Sequence, residues 1–224
     1  MTTSVSPEKN EESVLSPKRQ RYWQIGLAVG FVAVGLLVGW LGIQFATGRL
    51  SLVPHEFNGI VMQSPEPMNN FTLTSHTGEP FRLADLQGKT VAVYFGYTFC
   101  PDVCPATLAE LLKAKRLLGN EAENLEVVMV SVDPGRDTPE KLAEYLAYFD
   151  PSFIGLTGSE EEILQVTTPF GVFYEKHEGT AASGYLVDHT ASVMVLDDEG
   201  YLRLVFPFGI EGEGMAADLA YIMR

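Results

Sequence analysis

Cysteine is nearly missing from this chain, with two residues in 224, and histidine is limited to four. Two sulfurs are too few for an iron–sulfur cluster held by one chain, and a structural zinc site normally takes four protein ligands. Basic residues are short as well: 15 Lys plus Arg stand against 29 Asp plus Glu, a net charge of −14. From Trp23 onward the balance is 11 against 26, which argues for no nucleic acid among the partners. The sequence shows no internal repeat and no low-complexity block.

Charge is absent from residues 22–48, and residues 25–43 are almost wholly apolar. At about 1.5 Å per residue, such a run crosses a hydrocarbon core of roughly 30 Å. Lys18, Arg19 and Arg21 precede it and only Arg49 follows closely, so the N-terminal side is expected to be cytoplasmic. The run exceeds an ordinary signal-peptide core, which favours a retained anchor over a cleaved leader. The expected organisation is a cytoplasmic tail at 1–21, a single-pass transmembrane helix at 22–48, a linker at 49–55 and one domain at 56–224. That domain is expected on the extracytoplasmic (periplasmic) side of a cell membrane.

Within the domain, apolar strand-like runs alternate with helical patterns, the signature of an α/β layer fold. Residues 71–74 and 81–83 flank Thr77-Gly78-Glu79 as a hairpin. Residues 91–97 are continuously β-branched and aromatic, as in a strand buried on both faces, and residues 125–132 form a second such run. A helix is expected at 106–118, where Leu108, Leu111 and Leu112 recur at helical spacing. The next should start with Asp137 as its cap, Pro139 in its first turn and Glu140 completing a capping box, and end near Phe149. Further helices are expected from Ser159 and over 214–223, with a closing hairpin of 193–197 and 202–206. This order of elements predicts a thioredoxin-like domain on a single N-terminal transmembrane helix.

The cysteines stand in Tyr97-Thr98-Phe99-Cys100-Pro101-Asp102-Val103-Cys104-Pro105, directly after the first buried strand. Thiols at the mouth of a helix gain from unpaired backbone N–H groups and the helix dipole, so the turn suits metal binding or redox chemistry. Dithiol oxidoreductases of the thioredoxin kind use C-x-x-C, one residue shorter. Pro105 fits best at the first helical position, which places Cys104 near the N-cap and Cys100 in the preceding loop. A tight metal site needs a third ligand. His55, His76 and His177 lie in the linker, beside a turn and in a polar stretch, and read as surface residues. His189 instead precedes the apolar run 193–196, which a thioredoxin layout sets beside the thiol turn. Two thiolates and one imidazole suit copper, Cu(I) in particular. Among seven methionines, Met129 and Met194 read as core, and Met62 and Met68 as loop residues that could assist copper transiently.

Three blocks carry a family resemblance: Tyr94-Phe95-Gly96-Tyr97 running on to Pro105, Ser131-Val132-Asp133-Pro134-Gly135-Arg136-Asp137-Thr138-Pro139, and Tyr185-Leu186-Val187-Asp188-His189-Thr190. The chain resembles the SCO/SenC family of membrane-anchored, thioredoxin-like copper proteins. The resemblance implies that Cys100, Cys104 and His189 are copper ligands, with Asp188 orienting the imidazole. It implies a metallochaperone that helps assemble the copper centre of cytochrome c oxidase subunit II. A thiol reductant of the thioredoxin type is a further expected partner, needed to reopen a Cys100–Cys104 disulfide. The same thiols support an alternative, an extracytoplasmic thiol-disulfide oxidoreductase that reduces the acceptor's cysteines. Oxidoreductases of that fold usually carry a cis-proline before the hairpin strand. Residues 187–193 contain no proline, which weighs against general disulfide exchange.

Overall fold

The computed structural model describes residues 17–46, 55–179 and 184–223, in two compact units, Met1–Pro54 and His55–Arg224. In the first unit, α1 (Pro17–Ala46) is one continuous helix. Its stretch Tyr22–Gln44, with a mean hydropathy of 2.2, is long and apolar enough to cross a membrane. Apolar side chains such as Trp23, Phe31, Leu36 and Trp40 are exposed along it, the pattern of a helix whose natural solvent is hydrocarbon. Residues 1–16 of the expected tail at 1–21, residues 47–48 of the expected span and linker residues 49–54 lie outside the described residues.

The second unit runs β1 (Ile60–Val61), β2 (Thr72–Ser75), β3 (Pro80–Arg82), β4 (Thr90–Gly96), α2 (Val103–Leu118), β5 (Leu125–Ser131), α3 (Pro139–Ala147) and β6 (Ile154–Thr157). It continues with α4 (Glu160–Thr167), β7 (Tyr174–Glu178), β8 (Tyr185–His189), β9 (Val193–Leu196), β10 (Leu202–Phe206) and α5 (Gly212–Ile222). Eight strands form one sheet in the order β1-β10-β9-β4-β5-β6-β2-β3, and β7 with β8 form a separate two-stranded ribbon. β4, β5 and β6 are parallel, as α2 and α3 crossovers require, while β9 lies antiparallel to β4 with Tyr94 opposite Val193.

Every residue of β4 is buried, which explains its unbroken apolar sequence. Leu108, Leu111 and Ala114 of α2 join Met215 and Leu219 of α5 and the sheet in a single core, each large side chain contributing about 1.5–3 kcal/mol of transfer free energy. Ser159 caps α4 and Glu162 reaches back to the Ser159 N–H, a complete capping box.

Four local expectations are corrected. α2 begins at Val103 rather than Ala106, so Pro105 is the third helical residue; the first N–H groups of a helix have no intrahelical acceptor, so the missing donor is harmless there. α3 is capped by Thr138, whose hydroxyl accepts from the Lys141 N–H, and not by Asp137. His55 packs into the second unit, where it pairs with fully buried Asp218 at 2.9 Å and stacks on Tyr221 at 4.6 Å. His76 is half-buried, its Nδ1 accepting from the Gly155 N–H at 3.0 Å.

Asp218 anchors the start of the unit, because it also accepts from the backbone N–H groups of Asn58 and Gly59 at 2.8 and 2.9 Å. A buried carboxylate is tolerated only with such a full set of donors.

Candidate metal centre

The carboxyl end of β4 delivers the chain into Thr98-Phe99-Cys100, and the first turn of α2 holds Cys104. Asp102 occupies the N-cap position without making a side-chain cap bond. The Cys100 sulfur takes that role: the Cys104 N–H points at Cys100 Sγ from 3.4 Å. The positive end of the helix therefore faces a sulfur, which favours its thiolate.

Cys104 is fully buried and Cys100 half-buried. Cys104 Sγ lies 3.4 Å from His189 Nε2, and the ligand atoms of Cys100, Cys104 and His189 all fall within 4.8 Å of one another. The neighbouring Cys104 thiol holds the Cys100 pKa far below the usual thiol range, helped by His189 and the N–H groups of Asp102 and Cys104, against desolvation. Proximity to Cys100, together with burial, pushes the Cys104 thiol up. One negative charge is thus shared by two sulfurs and concentrated on the more accessible one.

The space for Cys104 is cut by Gly96. A Cβ there would stand 3.0 Å from Cys104 Sγ and 2.7 Å from the Tyr94 ring. The rings of Tyr94 and Tyr97 present to His189 edge-on, with centroids 6.0 and 5.9 Å away, and give the imidazole a walled slot. Burial pushes the Tyr94 phenol up and keeps it neutral.

His189 comes from outside the main sheet, at the end of the β7–β8 ribbon. Two strands alone are marginal, so the ribbon needs ties to the core. The Val187 N–H donates to the Tyr97 hydroxyl at 3.3 Å. The Tyr185 hydroxyl donates to buried Asp133 at 2.6 Å, and Arg136 donates to the Tyr185 carbonyl at 3.0 Å. Arg136 also pairs with Asp133 and lies over the Tyr185 ring at 3.6 Å. Tyr185, Val187 and His189 alternate along one face of β8, so fixing the first two aims the third.

Alternation also corrects the role expected of Asp188. It points to the opposite face and pairs with His177 across the ribbon at 2.9 Å, while His189 Nδ1 lies 3.3 Å from the Thr190 carbonyl. His177 is a surface residue, as expected. Met129 and Met194 are core, as expected. Met62 and Met68 are not near the sulfurs: their N–H groups donate to the Arg203 and Gly200 carbonyls, at the end of β9 and β10 remote from the cysteines. Asp137, expected as a cap, is buried and accepts from the Thr98 N–H (3.0 Å), the Thr98 hydroxyl (2.6 Å) and the Ser131 hydroxyl (2.6 Å). It ties the loop before Cys100 to the end of β5.

A thioredoxin-like α/β unit with two thiols at a helix start and an imidazole closing over them defines a class, the thiol-ligand metal and redox proteins of that fold. The SCO1/SenC family model matches residues 62–224, and the chain belongs to that family. Sco1 of Thermus thermophilus, solved in solution in its apo form, is 41% identical, with a TM-score of 0.67 over 75% of this chain and 97% of that one. ScoI of Bradyrhizobium japonicum, solved with copper bound, is 39% identical, with a TM-score of 0.62 over 69% and 98%. A SCO2-like protein of Rickettsia conorii is 39% identical over 136 residues, covering 60% of this chain and 66% of that protein. The chain thus spans slightly under two thirds of the length of that curated relative.

Proposed function

We propose that this chain is a membrane-anchored copper metallochaperone, with Cys100, Cys104 and His189 as the ligands that hold the metal in transit. The observation that carries the reading is the convergence of two sulfurs and one ring nitrogen within 4.8 Å. Thiolate and imidazole bonds to a first-row metal are about 2.0–2.3 Å long, so three donors around one ion stand roughly 3.5–4 Å apart. The observed set needs only a small contraction. A soft, low-coordinate donor set suits Cu(I), and the copper-bound structure of Bradyrhizobium japonicum ScoI supports the choice of metal.

Each residue has a part. Cys100, already inclined to the thiolate, is the half-exposed donor that meets incoming metal. Cys104 gives up its proton as the ion arrives, because a thiol must be deprotonated to ligate. His189 Nε2 completes the triangle, and the buried rings of Tyr94 and Tyr97 beside it exclude water. The recipient is the copper centre of cytochrome c oxidase subunit II, reached by exchange of one ligand at a time. The helix α1 is the anchor, with its N-terminus cytoplasmic and the second unit extracytoplasmic. In an oxidising compartment the two thiols can lose two electrons and two protons to form a disulfide, and a reductant of the thioredoxin type restores them.

Anaerobic Cu(I) titration of the full chain in detergent, against a competing chelator, tests the assignment. Loss of a residue that merely orients a ligand costs 10–100-fold in affinity, so His189→Ala should cost about 100-fold or more. Unchanged affinity in that variant would overturn the ligand set. The alternative, reduction of the acceptor's cysteines, is favoured by the low Cys100 pKa, to which Cys104 contributes most; it predicts that His189→Ala weakens acceptor reduction far less than it weakens copper binding.

A further inference from the structure

Among the described residues of His55–Arg224, the strongly exposed phenylalanines are Phe99, Phe173 and Phe208; the first two adjoin segments that build the metal centre, and the third follows a strand paired with β9. Phe99 precedes Cys100. Phe173 is bonded through its carbonyl and N–H to Thr190, the residue after His189. Phe208 follows β10, whose Phe206 pairs with Val193 at the start of β9. Beside Phe208 a cavity of about 200 Å³ opens between the first turn of α2 (Ala106, Thr107) and Ala191, floored by Val193, Phe206 and Met215. Its walls lie two residues from Cys104 and two from His189. Phe208 stands exposed on the rim of this apolar cavity, and an exposed apolar side chain continuous with an apolar cavity marks an interaction surface where a single scattered one does not.

The charge around this face selects the occupant. Asp102 and Glu211 are exposed there, and Glu110 lines the cavity. The cations nearby are already paired, Arg136 with buried Asp133 and Lys113 with Glu110 and Glu213. The whole unit carries 26 acidic against 10 basic residues, a net charge of −16. A second copy of the chain and an anionic membrane would both be repelled. We infer that the carboxyl end of β4 is a docking face for a protein that inserts an apolar side chain beside Phe208 and surrounds it with lysine or arginine, next to its own soft metal ligands.

The inference rests on the copper-carrier reading, because metal can pass only while the donor and acceptor sites are held in contact. Burying one side chain in such a pocket within a ring of weaker contacts is how small interfaces gain most of their affinity.

The test uses the full chain in nanodiscs, loaded with Cu(I), and the apo copper domain of cytochrome c oxidase subunit II as acceptor. Phe208→Asp should slow transfer tenfold or more while leaving equilibrium Cu(I) affinity and removal of copper by a small chelator unchanged. Glu211→Lys should also slow transfer and flatten its dependence on ionic strength. Equal transfer rates in wild type and Phe208→Asp overturn the docking face while leaving the copper-carrier reading intact. A wild-type chain that takes up no Cu(I) overturns both. Protection of residues 206–211 from hydrogen exchange by the bilayer alone, or by self-association alone, assigns the face to a different occupant and overturns the proposal.

Discussion

Asp137→Ala should be the most damaging single polar truncation near the metal centre. The carboxylate is fully buried and accepts from the Thr98 N–H, the Thr98 hydroxyl and the Ser131 hydroxyl. Each buried donor left without an acceptor costs about 1–3 kcal/mol. Part of that is offset by removing a desolvated carboxylate, so the net loss should be about 3–5 kcal/mol. For a folded unit of this size, 1 kcal/mol shifts Tm by about 2–4 °C, giving a drop of roughly 6–20 °C. Asp137→Asn is the informative control. Its oxygen can still accept from the Thr98 N–H and Ser131, and the Thr98 hydroxyl can turn to accept from the new amide, so it should lie within about 1 kcal/mol of wild type. The pH dependence has a definite sign. Burial raises the Asp137 pKa in the folded state, so the unfolded chain gives up its proton first. Wild-type stability relative to Asp137→Asn should therefore fall as pH rises from the unfolded carboxylate value, about 3.9, through the raised folded one, and then level off. Denaturation of the full chain in detergent, followed by circular dichroism at several pH values, measures all three quantities. An alanine variant within 1 kcal/mol of wild type, or an asparagine variant as unstable as the alanine one, would refute the reasoning.

Three further outcomes are expected. Gly96→Ala forces a methyl group against Cys104 Sγ and the Tyr94 ring; it should cost about 1–3 kcal/mol and lower Cu(I) affinity, both read from one set of titrations and melts. Tyr185→Phe removes the bond to Asp133, a charged acceptor whose hydrogen bond is worth about 1.5–3 kcal/mol, and loosens the ribbon. Copper affinity should fall while hydrogen exchange of the β4 and α2 amides stays the same, and faster exchange there would point to core damage instead. With its pKa lowered and its sulfur half-exposed, Cys100 should be alkylated first at mildly acidic pH, and Cys104, raised and buried, should lag. Peptide mass spectrometry decides, and equal labelling would show that the two thiols do not share a proton as described.

The parts legible in the sequence are those whose environment is uniform along the chain. β4 and β5 announce themselves because both faces are buried, and the Ser159 and Glu162 box because capping is local chemistry. Cys100, Cys104 and His189 could be brought together on paper because the order of elements limits where a late strand can lie. The ribbon carrying His189 was not legible: Tyr174–Glu178 is exposed along almost its whole length, so no alternation of apolar and polar residues marks it. Asp137 was misread because Asp137 and Thr138 are both good caps, and only the backbone turn decides which one enters the core. Asp188 was misread for lack of a strand assignment, since neighbours on a strand look in opposite directions.

The division of the metal centre between two sheets gives its assembly an order. Both sulfurs ride on the connection from β4 into α2, Cys104 buried in the core and Cys100 half-buried against it. The imidazole arrives on a ribbon secured by Tyr97, Asp133 and Arg136. Loosening those ties withdraws one donor and leaves the core undisturbed. The triangle is therefore made of two separately supported parts, a pair of sulfurs held by the core and an imidazole held by the ribbon.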